Sequence, residues 1–337
     1  MEYTTLGNTG IKVSRLGFGG IPIQRISKEE AIALIRKLPE YGVNYIDTAR
    51  GYTISEEYIG AGIDGIRDKF VLATKSMART RDAMAADIDI SLKNLRTDYI
   101  DLYQLHFVQS KDLDTITGPG GALEALQEAK AAGKIGHIGF TTHELAMFEK
   151  ALELDWVETI MFPYNFVETH GTELMKKCTE KGKGFICMKP LAGGAIENVS
   201  LAMRFIASNK DVTVNIPGMA TEEELAQNVK AASDPAPLTE AELAEVQNIR
   251  DTLGNHFCRR CNYCQPCTVG INISFCFTIN GYLTRYGLTD WATGRYKAMA
   301  VEPNACIECG ACESRCPYNL PIISMLKDVY NNFSKVL

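Results

Sequence analysis

Residues 70–76 read Phe-Val-Leu-Ala-Thr-Lys-Ser, a short apolar run that ends on a cation. Arg67, Asp68 and Lys69 precede it, and the following segment, Arg81–Leu95, carries apolar side chains at three- and four-residue spacing. This is the pattern of a strand buried on both faces and a helix laid over its sheet. The alternation continues in both directions. Strands are expected at Leu16–Gly19, Val43–Asp47, Phe70–Lys75, Tyr99–His106, Ile135–Phe140, Thr159–Pro163, Gly184–Lys189 and Val212–Pro217. Helical patterns lie between them, as at Lys28–Tyr41 and Gly121–Ala132. Eight strands alternating with helices predict an α/β chain folded as a (β/α)8 TIM barrel. A doubly wound open sheet is the alternative, but a dinucleotide-binding one carries a G-x-G-x-x-G turn after its first strand. Gly17-Phe18-Gly19-Gly20 lacks that spacing. Tyr3–Val13, split by Gly7-Asn8-Thr9-Gly10, predicts a hairpin that closes the barrel floor.

Beyond the barrel the composition changes. Residues 1–232 are assigned to the barrel, 233–255 to a linker and helix, and 256–337 to a small domain ending in a helix. The linker opens with the turn-forming Ser233–Pro237 and continues into a helical pattern at Thr239–Leu253. The small domain holds two cysteine runs. They are Cys258-x2-Cys261-x2-Cys264-x2-Cys267 and Cys306-x2-Cys309-x2-Cys312-x3-Cys316-Pro317. The second is the bacterial ferredoxin signature, in which three close thiolates hold one face of a [4Fe–4S] cluster and the fourth ligates the other cluster. Zinc knuckles use paired CxxC motifs, and disulfides suit small secreted domains. Neither fits these spacings as well as two [4Fe–4S] clusters. By the usual crossing, Cys258, Cys261, Cys264 and Cys316 hold one cluster, and Cys306, Cys309, Cys312 and Cys267 the other. Cys178, Cys187 and Cys276 belong to no such run and are expected to pack. Tyr282, Tyr286, Trp291 and Tyr296, at roughly helical spacing, are also expected to be packing residues.

In a TIM barrel, residues at the C-terminal ends of strands face the active site. Reading those positions gives Asp47, Lys75 and His106 at successive strand ends, with Tyr52 five residues after Asp47. Each has an ordinary structural role open to it when taken singly. Together they make a proton donor. A phenol is a weak acid at neutral pH, and a nearby ammonium stabilises the phenolate. Asp47 would hold Lys75 charged, and His106 could hydrogen-bond a substrate oxygen. A ketone accepting hydride develops alkoxide charge that such a donor meets.

These residues, with LGNTGIKVSRLGFGG, DTARGYTISEEYIG, LATKS, DLYQLH, KIGHIGFTTHE, MKPLAGG and IPGMATEEELAQNV, make the chain resemble an aldo-keto reductase of the branch fused to a C-terminal ferredoxin-like domain. The resemblance covers residues 1–230, and the cysteine domain continues it. It implies a tetrad of Asp47, Tyr52, Lys75 and His106, with Tyr52 as general acid, and a nicotinamide across the barrel mouth. Thr141 and Thr142 stand where family members carry Ser-Asn, and Met161 where a glutamine is common, ahead of Tyr164 and Asn165. Gly218, Met219 and Glu224 occupy the region where NADPH users place Lys or Arg, while Asn228 matches. Backbone amides around Leu191–Gly194, including Gly193, and around Gly218–Thr221 are expected to cradle phosphates. An acidic Glu224 repels a 2′-phosphate and can accept from a ribose hydroxyl, so NAD(H) is expected over NADP(H).

The chain has 337 residues, a net charge of −6 and 46% hydrophobic composition. That acidic balance argues against nucleic acid as a partner. Neither a secretion-type N-terminus nor a membrane-spanning apolar run is visible in the sequence, so a cytoplasmic protein is expected. The expected function is an oxidoreductase interconverting a small-molecule carbonyl and alcohol, with clusters passing electrons to or from a protein partner. Hydride is an electron pair and clusters carry single electrons, so coupling them calls for a converter such as flavin, for which no motif is evident. The alternative is an electron-transfer subunit whose barrel is a docking scaffold.

Overall fold

A computed structural model describes every residue of the chain except Pro235 and Asn255. The expected loop Ser233–Pro237 and the linker 233–255 therefore lie partly outside the described residues. The chain divides into two compact units. The first comprises Met1–Asn165, Thr169–Pro190 and Asn198–Leu238; the second comprises Phe166–Glu168, Leu191–Glu197 and Thr239–Leu337.

In the first unit, β1 (Tyr3–Thr5) and β2 (Lys12–Ser14) pair antiparallel, with Tyr3 opposite Ser14. Eight strands follow: β3 (Phe18–Gly19), β4 (Tyr45–Asp47), β5 (Val71–Ser76), β6 (Ile100–Leu105), β7 (Ile135–Thr141), β8 (Thr159–Pro163), β9 (Gly184–Met188) and β10 (Val214–Asn215). Each pairs in parallel with the next. The first and last meet through parallel bridges Leu16–Asn215 and Gly19–Gly218, which bring the sheet round into a barrel. Every residue of β5, β8 and β9 is buried, as expected for strands covered on both faces. β10 is shorter than its apolar run, because Pro217 brings no N–H to the ladder.

Local chemistry explains the helix limits. Ser27 and Glu30 form a reciprocal capping box at the start of Lys28–Lys37, an arrangement that contributes about 1 kcal/mol. That helix stops four residues before the pattern does. Pro39 has no N–H to continue the ladder, and the chain closes through i→i+3 bonds such as Tyr41 N to Leu38 O, 3.2 Å.

The hairpin plugs one end of the barrel. Leu6, wholly buried, joins Val13, Tyr45, Val71, Leu102, Met161, Ile186 and Ile216 in one apolar cluster. Burying such a side chain stabilises by roughly 1.5–3 kcal/mol. Gly7, at φ +56°, allows the close approach, since a Cβ there would run into the backbone at Gly182–Gly184. Asn8 N donates to Gly182 O at 2.7 Å.

The second unit holds helices Glu240–Gly254, Ile273–Thr284, Thr289–Lys297, Ala311–Ser314 and Ile322–Ser334. The last buries Ile322, Leu326, Val329 and Phe333, a 4-3-4 spacing that makes one helical face. Its core also contains Cys264, Cys276, Cys312 and Cys316. The aromatic row packs as expected. Tyr282 lies 4.4 Å from Trp291, and Tyr296 stacks on Phe333 at 4.3 Å, between ring centroids. Among the described residues no helix is long and apolar enough to cross a membrane.

Candidate active site and cluster ligands

Asp47 ends β4, Lys75 is the penultimate residue of β5, and His106 directly follows β6. Parallel registry brings these strand ends side by side: Asp47 pairs with Ala73, and Lys75 with Gln104. The turn after β4 is tied to β5 by Thr48 N to Ala73 O and Arg50 N to Lys75 O, each 2.9 Å. Tyr52 lies on that turn, its amide bonded to Ala49 O at 3.0 Å. Lys75 Nζ donates to Asp47 Oδ1 and to Thr48 O, the latter at 2.6 Å. The same nitrogen is 4.9 Å from the Tyr52 ring centroid, and the His106 ring meets Tyr52 edge-on at 5.8 Å. All four predicted residues are brought together.

Asp47, Tyr52 and Lys75 are buried, and His106 is half-buried. Burial pulls the Lys75 pKa below its ordinary value, opposed by the Asp47 charge and hydrogen bond. Burial pushes Asp47 up, opposed by Lys75 and Gln104. Gln104 was not among the residues singled out from the sequence. Its Nε2 donates to Asp47 Oδ2 at 3.2 Å from a wholly buried position. The available signal is parity: Gln104 lies two residues before His106 in an apolar strand, so both side chains leave the same face.

A second carboxylate is hidden behind the site. Glu56, 1% exposed, accepts from Arg50 (2.6 Å), Thr74 and Ser91 (2.8 Å each). It fastens helix Ser55–Gly62, which follows Tyr52, to the strand carrying Lys75.

The expected cofactor positions show mixed commitments. Thr141 Oγ1 accepts from Phe107 N at 2.7 Å. The Thr142 hydroxyl donates to Val108 O (2.8 Å) and accepts from Glu144 N (3.1 Å). Asn165 is buried and donates to Lys189 O at 2.9 Å. Gly218 leaves no room for a Cβ beside Pro22, and Met219 is wholly buried. Thr221 caps helix Glu222–Ala232 by accepting from Glu224 N at 3.2 Å. Glu224 accepts from Ala220 N (2.6 Å) and lies 3.3 Å from Arg25 Nη2. Asn228 Oδ1 is buried with no hydrogen-bond partner among the described residues, a position that fits a ligand donor. Leu191 and Gly193 fall within the second unit, where Gly193 O accepts from Arg285 Nε at 2.7 Å.

In the second unit the two cysteine runs share the backbone turn around their second cysteine. The residue before the second cysteine is left-handed in both, Arg260 at φ +59° and Glu308 at +56°. So is the residue after it, Asn262 at +65° and Gly310 at +73°. Alternating handedness of this kind turns successive amides inward, toward an anionic group. Cys267, Cys306, Cys309 and Cys312 line one recess of about 330 Å³, open mouth included. Cys261 interacts electrostatically with Cys316, and Cys264 with Cys258, Cys261 and Cys312. The recess of Cys267 and the Cys261–Cys316 pair follow the expected crossing, whereas the Cys264–Cys312 pair runs between its two sets. Among the described residues no three His, Cys, Asp or Glu side chains converge on a single metal-ion position. Sulfur atoms receive hydrogen bonds from Arg260 N to Cys258 (3.4 Å) and exchange one between Thr268 Oγ1 and Cys309 (3.4 Å). In the thiol form, burial pushes Cys264 up to about 12, so metallation must displace its proton. Arg260 also pairs with the fully buried Glu168, and Arg259 lies 4.0 Å over the Tyr318 ring.

The sequence profile of the Aldo/keto reductase family matches residues 15–200, and that of a 4Fe-4S dicluster domain matches residues 257–321. L-galactose dehydrogenase from Arabidopsis thaliana is 26% identical over 308 residues, covering 76% of this chain and 96% of the plant protein. Aldo-keto reductase YhdN from Bacillus subtilis is 31% identical over 222 residues, covering 58% and 66%. The holo form of aldo-keto reductase AKR11C1 from Bacillus halodurans superimposes with a TM-score of 0.64 at 24% identity. It covers 74% of this chain and 96% of its own, and supports the barrel fold.

Proposed function

The chain belongs to the aldo/keto reductase family and carries a 4Fe-4S dicluster domain, and from this premise we propose that it reduces a small-molecule carbonyl to an alcohol, and runs the reverse, at the Tyr52 end of the barrel. The observation that carries the reading is the convergence of Lys75 on both Asp47 and the Tyr52 ring. A nicotinamide, when bound, would supply the hydride. Tyr52 gives its phenolic proton to the carbonyl oxygen as alkoxide charge develops, and water returns a proton to the phenolate afterward. Lys75 stabilises the transient phenolate, Asp47 keeps the ammonium in place, and Gln104 fixes the carboxylate. His106 orients the substrate oxygen.

The nicotinamide is assigned to Thr141, Thr142 and Asn165, its phosphates to Gly218, Met219 and Thr221, and its adenine end to Asn228. Thr141 keeps a hydroxyl proton for a carboxamide oxygen. The Thr142 hydroxyl proton is already spent on Val108 O and its amide on Met161 O, which leaves its methyl group for the contact. NAD(H) is favoured because Glu224 neutralises Arg25, the cation beside it.

The clusters are assigned to one-electron exchange with a protein carrier, and the chain to the cytoplasm. An anaerobic absorbance titration of dithionite-reduced protein with NAD+, and separately NADP+, tests the coupling. Growth of the reduced-nicotinamide band with recovery of oxidised-cluster absorbance supports it and calls for a pair-splitting group. No change in either band separates the clusters from the barrel chemistry and leaves the carrier protein as their partner.

A further inference from the structure

The turn that carries His106 is tied to the strands on both sides of it. All six backbone polar groups of His106, Phe107 and Val108 are bonded. His106 N donates to Ser76 O at 2.8 Å, and Val108 N to Thr141 O at 2.8 Å. Phe107 N donates to the Thr141 hydroxyl at 2.7 Å, and Val108 O accepts from the Thr142 hydroxyl at 2.8 Å. The remaining two acceptors, His106 O and Phe107 O, share one guanidinium nitrogen, Arg79 Nη2, at 2.9 and 3.0 Å.

Arg79 is itself anchored. The same Nη2 lies 3.1 Å from Asp112, whose carboxylate also caps Gln109 N at 3.1 Å. Arg79 O accepts from Ala122 N at 3.0 Å. This arrangement has costs. Arg79 Nη1 is buried with no partner among the described residues, and Phe107 is a bulky residue at φ +53°. A left-handed non-glycine residue persists only where its surroundings over-determine it, and such strain gathers at functional sites.

We propose that Arg79 and the Thr141 hydroxyl are positioning residues for His106, clamping its turn so that the imidazole meets the Tyr52 ring edge-on. This rests on the tetrad reading above. Thr141 and Thr142, at positions given over to cofactor binding in the resemblance, thereby take on a second task. An arginine suits it because one planar nitrogen can serve two carbonyls while its charge is held by a carboxylate.

The first test needs no substrate. The full chain, clusters loaded, is labelled with 15N at its five histidines. The His106 imidazole resonance is identified by its loss in His106→Ala. Arg79→Met and Thr141→Val should each shift or split that resonance, whereas Thr141→Ser, which keeps the hydroxyl, should not. The His137 and His256 signals should stay put in all variants. An unaltered His106 signal in Thr141→Val overturns the proposal even if Arg79→Met does not fold.

The second test uses 4-nitrobenzaldehyde with NADH. Arg79→Met should lower kcat by about tenfold or more, with the cofactor KM held within about twofold, the scale expected of a misplaced group. In a His106→Ala background the same substitution should cost nothing further. An equal loss in both backgrounds overturns the clamp. Full turnover in His106→Ala alone would instead remove the tetrad reading, leaving the resonance experiment to judge the clamp separately.

Discussion

Lys75 Nζ is bonded to Asp47 on one side and lies 4.9 Å from the centroid of the Tyr52 ring on the other. One ammonium therefore links the buried acid to the phenol. Removing the phenolic proton donor should cost about 10²–10⁴ in carbonyl turnover, the usual range for a general acid. Tyr52→Phe should do this with unchanged far-UV circular dichroism. A fully active Tyr52→Phe protein would end the assignment.

The same relationship sets a pH dependence. Burial lowers the Lys75 pKa, so the ammonium is lost at a pH below its ordinary 10.5. Neutral lysine cannot stabilise the phenolate. Carbonyl reduction should therefore fall as pH rises through that lowered value. A pH–rate profile of Lys75→Met should have low turnover and lack this alkaline limb; an identical limb in the variant would assign it to another group.

The cysteine sets predict a crossed response. Cys316 lies in the second run but is an electrostatic neighbour of Cys261, and Cys267 lies in the first run but lines the recess with Cys306, Cys309 and Cys312. Cys316→Ala should remove the cluster of Cys258, Cys261 and Cys264, and Cys267→Ala the other. Iron should fall from about eight to about four per chain in either variant. Distinct electron paramagnetic resonance spectra of the two singly loaded proteins would identify which cluster remains. If Cys316→Ala instead shares its residual spectrum with Cys309→Ala, the crossing is wrong.

Cluster removal should unfold one unit and spare the other. Cys264, Cys312 and Cys316 are part of the core that also buries Leu326, Val329 and Phe333. Thiolates without iron re-protonate and leave that core without its centre. After anaerobic chelation, hydrogen exchange should accelerate across Ile273–Thr284 and Ile322–Ser334 while β5 and β6 stay protected. Equal protection in the cluster-free helices would show that the core stands without metal.

Glu158 offers a stability test away from both sites. Burial raises its pKa, but bonds from His137 (2.6 Å), Lys130 (2.7 Å) and Ile138 N (2.9 Å) outweigh that and hold it at about 2. A carboxylate lowered from 4.5 stabilises the fold above that pH and loses its contribution as pH falls toward 2. The group is a quarter exposed, so screening limits Glu158→Gln to roughly 1–2 kcal/mol at pH 7. Urea unfolding at pH 7 and at pH 3 should show that gap narrowing at the lower pH. A constant gap would refute the linkage.

Much of this was legible locally. Apolar runs and helical spacing located all eight barrel strands to within two residues at each end, because a strand covered on both faces writes its burial into its own composition. Strand ends named Asp47, Lys75 and His106, which the structure brings together with Tyr52, and cysteine spacing named the dicluster domain, since both depend on short stretches of chain. Strand limits were less legible where proline intervened, as at β10 and Pro39.

The remaining relationships were decided by tertiary structure. Nothing near Glu56 says that Arg50, Thr74 and Ser91 will satisfy a buried carboxylate, and nothing near Arg79 says that it will hold the carbonyls of residues 106 and 107. The left-handed Arg260 and Glu308 are equally unannounced, because side chains of that size do not favour positive φ. The sequence alone determined which elements form and which chemistry lies at their ends. Only the fold decided which of those groups meet. A hydrogen bond depends on separations of a few ångströms between residues distant along the chain, and local pattern carries no record of those distances.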